Sequence, residues 1–273
     1  SGKDTLASSL AGLFCQNTVV LLSGDDYHLW DRHAPMWKAL THLNPRGNDL
    51  GRFVEDVNTI LDGQSIEHQP YDHSNGQFLS PRRLKSNDVI IVSGLHALYH
   101  QTLVDRINTC IFLDMAEDLR RHWKIKRDIG ARGHSREAIE ESLKRRSDDL
   151  EQFIRPQKEN ADLIFGLAPV NPQLLEQEGG QSLRLKLNVV IRNSIHHEQL
   201  ARILVGLCGM HLNTVYSEVP GEIKMTIEGD LESEDTALAA RELAPHLIDI
   251  LDIHPKWSGG MTGRSTSSCG GGG

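Results

Sequence analysis

The chain has 273 residues, of which 38% are hydrophobic and 24% are charged, so it is long enough for one large domain or for a domain and a smaller unit. Because no apolar stretch approaches the roughly 20 residues that a membrane helix needs, we expect a soluble protein. The formal net charge of −8 argues against binding to nucleic acid or to an anionic membrane, since both require a broad Lys and Arg surface.

Apolar spacing predicts helices and strands that alternate along the first part of the chain. In order, the predicted elements are a helix at 3–14, a strand at 18–22, a helix at 50–61, a hairpin at 71–78, strands at 89–92 and 110–113, helices at 116–129 and 135–153, and a strand at 163–167. Gly63 follows the second helix where a left-handed residue often ends a helix. The alternation predicts an α/β fold, with a mostly parallel sheet between helices on both faces and ligands at the carboxyl ends of the strands.

The composition changes after about residue 170. Residues 171–182 are polar and glycine-rich, which predicts a linker. The following segments are predicted as strand, helix, strand and helix, at 183–190, 196–208, 222–228 and 235–251. We therefore predict a first domain at 1–170 and a smaller C-terminal α+β unit at 183–273, whose role the sequence does not indicate.

The first residues match the end of a phosphate-binding loop. Ser1-Gly2-Lys3-Asp4-Thr5 resembles the tail of the motif G-x-x-x-x-G-K-[ST], whose backbone N–H groups and helix N-terminus hold phosphates. The front of the motif and an initiator Met are missing, so we interpret the chain as a fragment that lacks the preceding strand. Gly2, Lys3, Asp4 and Thr5 are candidates for binding ATP, with Lys3 between the β- and γ-phosphates. A Gly-Lys pair alone is more often a surface feature, so this prediction depends on other motifs.

Two aspartates directly follow the predicted strand at 18–22. Asp25 and Asp26 therefore lie at a carboxyl strand end, on the side where phosphates are expected. A sugar hydroxyl has a pKa far above neutrality, so its attack on phosphorus is helped by a carboxylate that accepts its proton. Asp25 is the candidate base. The alternative is that the pair caps a turn, which is the commoner role of Asp-Asp sequences.

Cationic side chains recur on the predicted helix at 116–129. Arg120, Lys124, Arg127 and Asp128 are related by offsets of four, seven and eight residues and therefore share one face. Arg132 extends this set into a glycine-containing break, as in a hinged lid that would bring cations to a transferring phosphoryl group. The alternative is a solvated, ion-paired face.

The four cysteines are far apart in the sequence, at Cys15, Cys110, Cys208 and Cys269. They form no C-x-x-C pair, so they favour neither a zinc site nor a disulfide framework. A reducing cytoplasm is the predicted location.

Several segments occur in the order and with the gaps that are typical of one kinase family. They are Gly24-Asp25-Asp26-Tyr27-His28, Asn44-Pro45-Arg46-Gly47-Asn48, Tyr71-Asp72-His73, Ser93-Gly94-Leu95-His96, Trp123-Lys124-Ile125-Lys126-Arg127-Asp128, Arg132-Gly133-His134-Ser135 and Pro156-Gln157-Lys158. Together they resemble the phosphoribulokinase and uridine kinase family, and most closely phosphoribulokinase, over residues 1–168. The resemblance implies a P-loop kinase fold for the first domain.

The resemblance also implies roles for individual residues. Asp25 would be the catalytic base, Lys3 would act at the phosphates, and Asp128 would lie near the active site. Three residues would bind a sugar phosphate, namely His28, Arg32 and His73. Three others would balance phosphate charge on a mobile lid, namely Lys124, Arg127 and Arg132. Without the family pattern, His73 would be a surface histidine and Arg32 a loop cation.

Two positions depart from the family pattern at the predicted Mg²⁺ site. Asp4 stands where the family usually has Ser or Thr, with Thr5 next, and Ser93 stands where it usually has an acidic residue. We hypothesise that the exchanges compensate, because Asp4 would supply the carboxylate and Ser93 the hydroxyl that a hard ion prefers. The predicted metal ligands are Asp4, Thr5 and Ser93.

The predicted function is ATP-dependent transfer of a γ-phosphoryl group to an alcohol of a pentose phosphate, such as ribulose 5-phosphate or a relative. The implied partners are ATP, Mg²⁺ and a small sugar phosphate or nucleoside, and self-association stays open. A uridine-type nucleoside kinase is the near alternative. A non-catalytic regulatory protein that retains the fold is a second alternative, which Ser93 favours.

Overall fold

A computed structural model describes residues 2–132, 135–175, 183–192, 197–230, 235, 239, 241–247 and 249–252, and the side chains of Arg127, Ala131 and Arg132 lie outside this description. The helices are α1 (Lys3–Ala11), α2 (Leu50–Leu61), α3 (Gln101–Val104), α4 (Glu117–Arg132), α5 (Arg136–Asp149) and α6 (His197–Gly206). The strands are β1 (Val19–Ser23), β2 (Ser65–His68), β3 (Tyr71–Asp72), β4 (Gln77–Phe78), β5 (Arg82–Lys85), β6 (Val89–Ser93), β7 (Ile111–Leu113), β8 (Leu163–Pro169), β9 (Leu185–Arg192), β10 (His211–Tyr216) and β11 (Glu222–Glu228).

Two sheets carry most of the fold. Strands β1 and β6 pair in parallel, with Ser23 opposite Ser93 at their carboxyl ends. The second sheet has the order β10-β11-β9-β8-β7, in which β7 and β8 are parallel and the other pairs are antiparallel. The parallel pairs and their helices confirm the predicted α/β fold. Because β9 pairs along β8, the C-terminal strands continue the sheet that begins with β7, and the predicted boundary near residue 170 stays a prediction.

The first hydrophobic core lies between α2 and the β1–β6 pair. Phe53, Val57 and Ile60 recur on one face of α2 and are almost completely buried against Val20 and Leu22 of β1. Burying each large apolar side chain contributes about 1.5–3 kcal/mol, so this packing fixes α2 against the sheet. A second core lies between α6 and the C-terminal strands, around Val189, Ile191, Met225 and Ile227.

Local patterns predicted most elements of the first part of the chain correctly. Helix α2 has the predicted bounds, and Gly63 beyond it has a left-handed φ of +78°. The predicted hairpin is confirmed by β3 and β4, with Gly76 at a φ of +76°. At the first helix the prediction was three residues too long, because the chain turns after Ala11 and Phe14 forms an isolated bridge with Leu251.

Other elements differ from the prediction. Strand β10 was missed because its side chains are mostly exposed at a sheet edge, so no apolar alternation marks it. The short strands β2 and β5 were missed as well. The prediction of a continuous helix over 235–251 was wrong in its last part, since a short 3₁₀ turn occupies Pro245–Leu247.

Helix α4 is longer than predicted and includes Arg132, which the sequence had suggested to lie in a break. Residues 133 and 134, which belong to the predicted lid hinge, lie outside the described residues. Among the helices that the structure describes, none combines the length and the apolar character needed to cross a membrane.

Candidate active site

The carboxyl ends of β1 and β6 lie close together at two glycines. Gly24 follows β1 and Gly94 follows β6, and a Cβ atom added to Gly24 would lie 3.1 Å from the Gly94 Cα and 3.3 Å from the Ser93 carbonyl oxygen. A larger residue would force the two backbones apart. This close approach determines where the turn after β1, which carries Asp25, lies relative to β6.

Lys3, in the first turn of α1, reaches Asp25 across the end of the sheet. Its Nζ donates hydrogen bonds to Asp25 Oδ2 and to Asp4 Oδ1, each at 2.7 Å. The Lys3 and Asp25 side chains are only 14% and 9% exposed, so the pair is largely shielded from water. The predicted proximity of the loop lysine and the candidate base is confirmed.

This pairing determines the charge of both groups. Burial raises the pKa of the Asp25 carboxyl, but the charge of Lys3 and the hydrogen bond from Lys3 outweigh burial and hold that pKa below its ordinary value. Burial lowers the pKa of the Lys3 ammonium, but the charges of Asp25 and Asp4 outweigh burial, and the pKa lies above its ordinary value. Both groups are therefore charged at neutral pH.

Asp26 has a different environment from its neighbour. Its Oδ1 accepts a hydrogen bond from the Tyr71 backbone N–H at 2.7 Å, and its Oδ2 lies 3.7 Å from His68 Nε2. Asp26 therefore fastens the β3–β4 hairpin to the end of β1. The turn itself is capped by Ser23, whose Oγ accepts a hydrogen bond from the Asp25 N–H at 3.3 Å, so the turn-cap alternative for the aspartates was wrong.

The β3–β4 hairpin brings His73 and Arg32 to the site. His73 Nε2 lies 3.4 Å from Asp25 Oδ2. Arg32 Nη2 donates to the His73 carbonyl oxygen at 2.6 Å, and the Arg32 backbone N–H donates to the Gly76 carbonyl oxygen at 2.8 Å. A Cβ atom added to Gly76 would collide with the Arg32 side chain, so glycine at this position lets the arginine lie against the hairpin.

His28 lies on the other side of Asp25. Its Nε2 is 4.0 Å from Asp25 Oδ1, and its Nδ1 is 2.6 Å from Asn48 Oδ1. Three aromatic rings surround the imidazole, those of Trp37, His42 and Tyr71. Asn48 is buried. No individual role was predicted for Asn48. Its place at the end of a segment that resembles the family pattern, residues 44–48, was the one indication of a function.

Three side chains that could hold a metal ion lie close together at the end of the sheet. One ligand atom each from Asp4, Asp25 and His73 lies within 4.8 Å of the other two. Two carboxylates are suitable ligands for Mg²⁺, whereas histidine is not a ligand that Mg²⁺ prefers. Of the predicted ligands, Asp4 therefore fits the implied ion, while Thr5 and Ser93 as metal ligands stay predictions.

The cationic face of α4 is more varied than predicted. Arg120 forms an ion pair with Glu117 at 2.6 Å, Lys124 Nζ donates to Ser142 Oγ of α5 at 3.3 Å, and Asp128 is buried. The ion-paired alternative thus applies to Arg120. The side chains of Arg127 and Arg132 lie outside the described part of the structure, so their action on phosphate stays a prediction.

Asp149, at the end of α5, is a contact that the sequence did not indicate. Its carboxylate accepts a hydrogen bond from Thr41 Oγ1 at 2.6 Å and another from Asn44 Nδ2 at 3.0 Å. The Asn44 carbonyl oxygen in turn accepts a hydrogen bond from Asn48 Nδ2 at 2.9 Å. Asp149 therefore ties the segment that supports His28 to α5, the helix that follows the predicted lid.

Three comparisons place the chain among known proteins. Residues 1–173 match the model of the phosphoribulokinase / uridine kinase family. Over 186 residues the chain is 33% identical to a phosphoribulokinase of Synechocystis sp., covering 68% of this chain and 55% of that protein. Over 169 residues it is 30% identical to a uridine kinase of Staphylococcus haemolyticus, covering 60% of this chain and 82% of that protein.

The comparison with solved structures extends further along the chain. The phosphoribulokinase structure from Rhodobacter spheroides aligns with a TM-score of 0.66 at 19% identity, covering 91% of this chain and 93% of that one. At this identity the match shows the fold alone. The chain spans only about half of the length of the curated phosphoribulokinases that it matches, 55% and 44% in two of them.

Proposed function

Because the chain belongs to the phosphoribulokinase / uridine kinase family, we propose that its active site transfers the γ-phosphoryl group of ATP to an alcohol of a pentose phosphate. The observation that carries this proposal is the buried contact of 2.7 Å between Lys3 Nζ and Asp25 Oδ2. It joins a cation at a helix N-terminus, which suits phosphate, to a carboxylate that suits a proton acceptor.

In the proposed reaction, the attacking hydroxyl of the acceptor lies beside the Asp25 carboxylate. Asp25 accepts the proton of the attacking hydroxyl as the oxygen bonds to the γ-phosphorus, and the bond from that phosphorus to the bridging oxygen of ADP breaks. Lys3 moves from Asp25 to the phosphates and neutralises the charge that develops on them. Asp25 is thereby released to act as a base.

Cationic groups near the acceptor support a substrate that already carries phosphate. Arg32 is held on the hairpin beside His73, and an arginine fork suits phosphate oxygens. We propose that Arg32 and His73 bind the phosphate of the acceptor, and that Lys124, Arg127 and Arg132 meet the transferring group when the lid closes. Asp128, buried on α4, would help to hold that helix near the site.

We also propose that Mg²⁺ is held at this site by Asp4, with Thr5 and Ser93 as further ligands. The ion would supply positive charge that balances the negative charge of the phosphates and of the leaving group. Asp4 now pairs with Lys3 at 2.7 Å, and its carboxylate becomes available to the ion when Lys3 moves to the phosphates.

A nucleoside kinase is the second candidate, because a relative named uridine kinase matches over most of its own length. Transfer of label from radiolabelled ATP distinguishes the two. We expect label on ribulose 5-phosphate or a related pentose phosphate and none on uridine. Label on uridine alone would contradict the proposal.

A variant of the base tests the role of Asp25. We expect Asp25→Asn to reduce kcat by roughly 10²- to 10⁴-fold, because the isosteric amide cannot accept the proton. The matched control is Asp88→Asn, an exposed aspartate immediately before β6 and thus at the opposite end of the strand. Equal effects of the two variants would argue against Asp25 as the base.

Calorimetry with ATP and Mg²⁺ tests the non-catalytic alternative, which predicts no metal-dependent binding.

A further inference from the structure

His28 and Asn48 form a buried pair whose hydrogen atoms can be assigned from geometry. The two residues oppose each other in a short antiparallel bridge, which is flanked by backbone hydrogen bonds of 2.7 and 3.0 Å. Between the side chains, His28 Nδ1 lies 2.6 Å from Asn48 Oδ1. Both side chains are nearly inaccessible to water, so each polar atom requires a partner.

The surroundings of Asn48 fix the orientation of its amide. Asn48 Nδ2 lies 2.9 Å from the Asn44 carbonyl oxygen and 3.3 Å from the His42 carbonyl oxygen. Carbonyl oxygens only accept hydrogen bonds, so the NH₂ group must face them, and a flipped amide would place oxygen against oxygen. Asn48 Oδ1 therefore faces His28, and because Oδ1 is only an acceptor, the hydrogen atom lies on His28 Nδ1.

The other nitrogen of the ring faces the base. Burial lowers the pKa of His28 and outweighs the opposing effects of Asp25 and Asn48, so that this pKa lies below its ordinary value and the ring is neutral at neutral pH. With hydrogen on Nδ1, Nε2 carries a lone pair, 4.0 Å from Asp25 Oδ1. The edges of Trp37 and Tyr71 pack against the ring at centroid distances of 5.6 and 5.3 Å and restrict its rotation.

We propose that Asn48 is a positioning residue that fixes the Nδ1-protonated tautomer of His28, so that Nε2 accepts a hydrogen bond from a second hydroxyl of the acceptor. The inference rests on the proposed function and adds the chemistry of the acceptor. Two hydrogen-bond acceptors 4.0 Å apart, His28 Nε2 and Asp25 Oδ1, suit two hydroxyls of one polyol. Because Nε2 carries a lone pair and no hydrogen atom, it cannot donate a hydrogen bond to a phosphate oxygen. His28 therefore binds a hydroxyl, and cations such as Arg32 bind the phosphate.

The tautomer is tested directly in the unmodified protein. The ¹⁵N chemical shifts of the His28 ring, measured by NMR at neutral pH without any acceptor, distinguish the two neutral tautomers from the doubly protonated ring. We expect hydrogen on Nδ1 and a bare Nε2. Hydrogen on Nε2, or on both nitrogens, overturns the inference. This result does not depend on whether the protein transfers phosphate.

Variants of Asn48 test whether this residue sets the tautomer. Asn48→Leu removes the oxygen that accepts from Nδ1, so we expect mixed tautomers and a kcat/KM for the acceptor that is lower by roughly 10- to 100-fold. Asn48→Asp keeps an oxygen opposite Nδ1 but places its second oxygen against the Asn44 and His42 carbonyl oxygens and adds a buried negative charge, so we expect the His28 ring to become doubly protonated. An unchanged ring spectrum in a folded Asn48→Leu protein contradicts the positioning role. If that variant does not fold, the ring spectra of Asn48→Asp and of the wild type still test whether Asn48 sets the tautomer of His28.

Analogues of the accepted pentose phosphate, each lacking one hydroxyl other than the phosphorylated one, test the contact with the substrate. With the wild-type protein, we expect one analogue to lose roughly 10- to 100-fold in kcat/KM. With His28→Ala, the same analogue should react as well as the parent acceptor. If each analogue loses the same factor in kcat/KM in both proteins, the proposed contact between His28 Nε2 and a second hydroxyl is wrong. If no acceptor is phosphorylated, the proposed function fails, while the NMR measurement still tests the tautomer.

Discussion

The Lys3 ammonium lies 2.7 Å from the Asp25 carboxylate, so the cation expected to serve the nucleotide neutralises the expected base. The contact crosses from a helix start to a strand end, and both side chains are mostly buried. A base paired with lysine is a poor proton acceptor. Binding of nucleotide phosphates would draw Lys3 away, and Asp25 would gain basicity only when the phosphoryl donor is present.

Replacing Lys3 should raise the pKa of Asp25. In Lys3→Met the burial of Asp25, which raises this pKa, is no longer opposed by the lysine charge. ¹³C NMR titration of the Asp25 carboxyl measures the change directly. An Asp25 pKa that is as low in Lys3→Met as in the wild type would mean that His28 and His73, rather than Lys3, set it.

The same variant should change how stability depends on pH. In the wild type the pKa of Asp25 in the folded state is below the unfolded value, so the ion pair stabilises the fold above about pH 4, and this contribution is lost as pH falls through the folded pKa. At pH 7 we expect Lys3→Met to lower the free energy of unfolding by about 3 kcal/mol, because it leaves a buried carboxylate unpaired. In urea unfolding, this difference should shrink as the pH falls through the raised Asp25 pKa of the variant and then through the lowered Asp25 pKa of the wild type. Lys85→Met, at an exposed lysine of β5, should change stability by less than about 0.5 kcal/mol.

The metal hypothesis predicts that Asp4 and Ser93 compensate for each other. The double exchange Asp4→Ser with Ser93→Glu should restore one hydroxyl and one carboxylate, and Mg²⁺-dependent turnover should be retained. Each single exchange leaves two groups of one kind and should be less active. The measurement is the Mg²⁺ dependence of phosphoryl transfer in each variant. Single variants that work better than the double variant would show that the two positions do not share an ion.

Asp149 should be needed for the shape of the acceptor site, although it lies at the end of α5. Asp149→Asn replaces one accepting oxygen by a donor that opposes Thr41 Oγ1 or Asn44 Nδ2. We expect a loss of about 1–3 kcal/mol in the free energy of unfolding. We also expect a larger rise in KM for the acceptor than for ATP, because Asn44 supports Asn48. The control is Asp148→Asn, at an exposed neighbour that accepts a hydrogen bond from Ser147. Similar losses of stability and similar changes in KM in both variants would argue against a special role for the contacts of Asp149 with Thr41 and Asn44.

The close approach of Gly24 and Gly94 should make the strand ends intolerant of a methyl group. Gly24→Ala places a Cβ at 3.1 Å from the Gly94 Cα and should cost about 1–3 kcal/mol in stability. Gly51→Ala is the matched comparison, because its Cβ would meet only the Asp49 side chain, at 3.8 Å, within helix α2. We expect Gly51→Ala to stabilise the protein by about 0.5–1 kcal/mol. Thermal melts of both variants test the contrast, and a neutral Gly24→Ala would refute the steric argument.

The sequence by itself determined the parts of this protein that depend on neighbours in the chain. The apolar stripe of α2, the left-handed Gly63 and the β3–β4 hairpin follow from spacing and from glycine conformations within a few residues. The order of the motifs also indicated the family, and the strand-end position of Asp25 indicated the active site.

Only the tertiary structure separated the roles of Asp25 and Asp26, because adjacent side chains point in different directions and meet partners far away in sequence. Lys3 pairs with Asp25 over 22 positions, and Tyr71 binds Asp26 over 45. The contacts of Asn44 with Asp149 cover 105 positions. Such partners are chosen by the packing of whole helices and strands, which no local pattern of residues encodes.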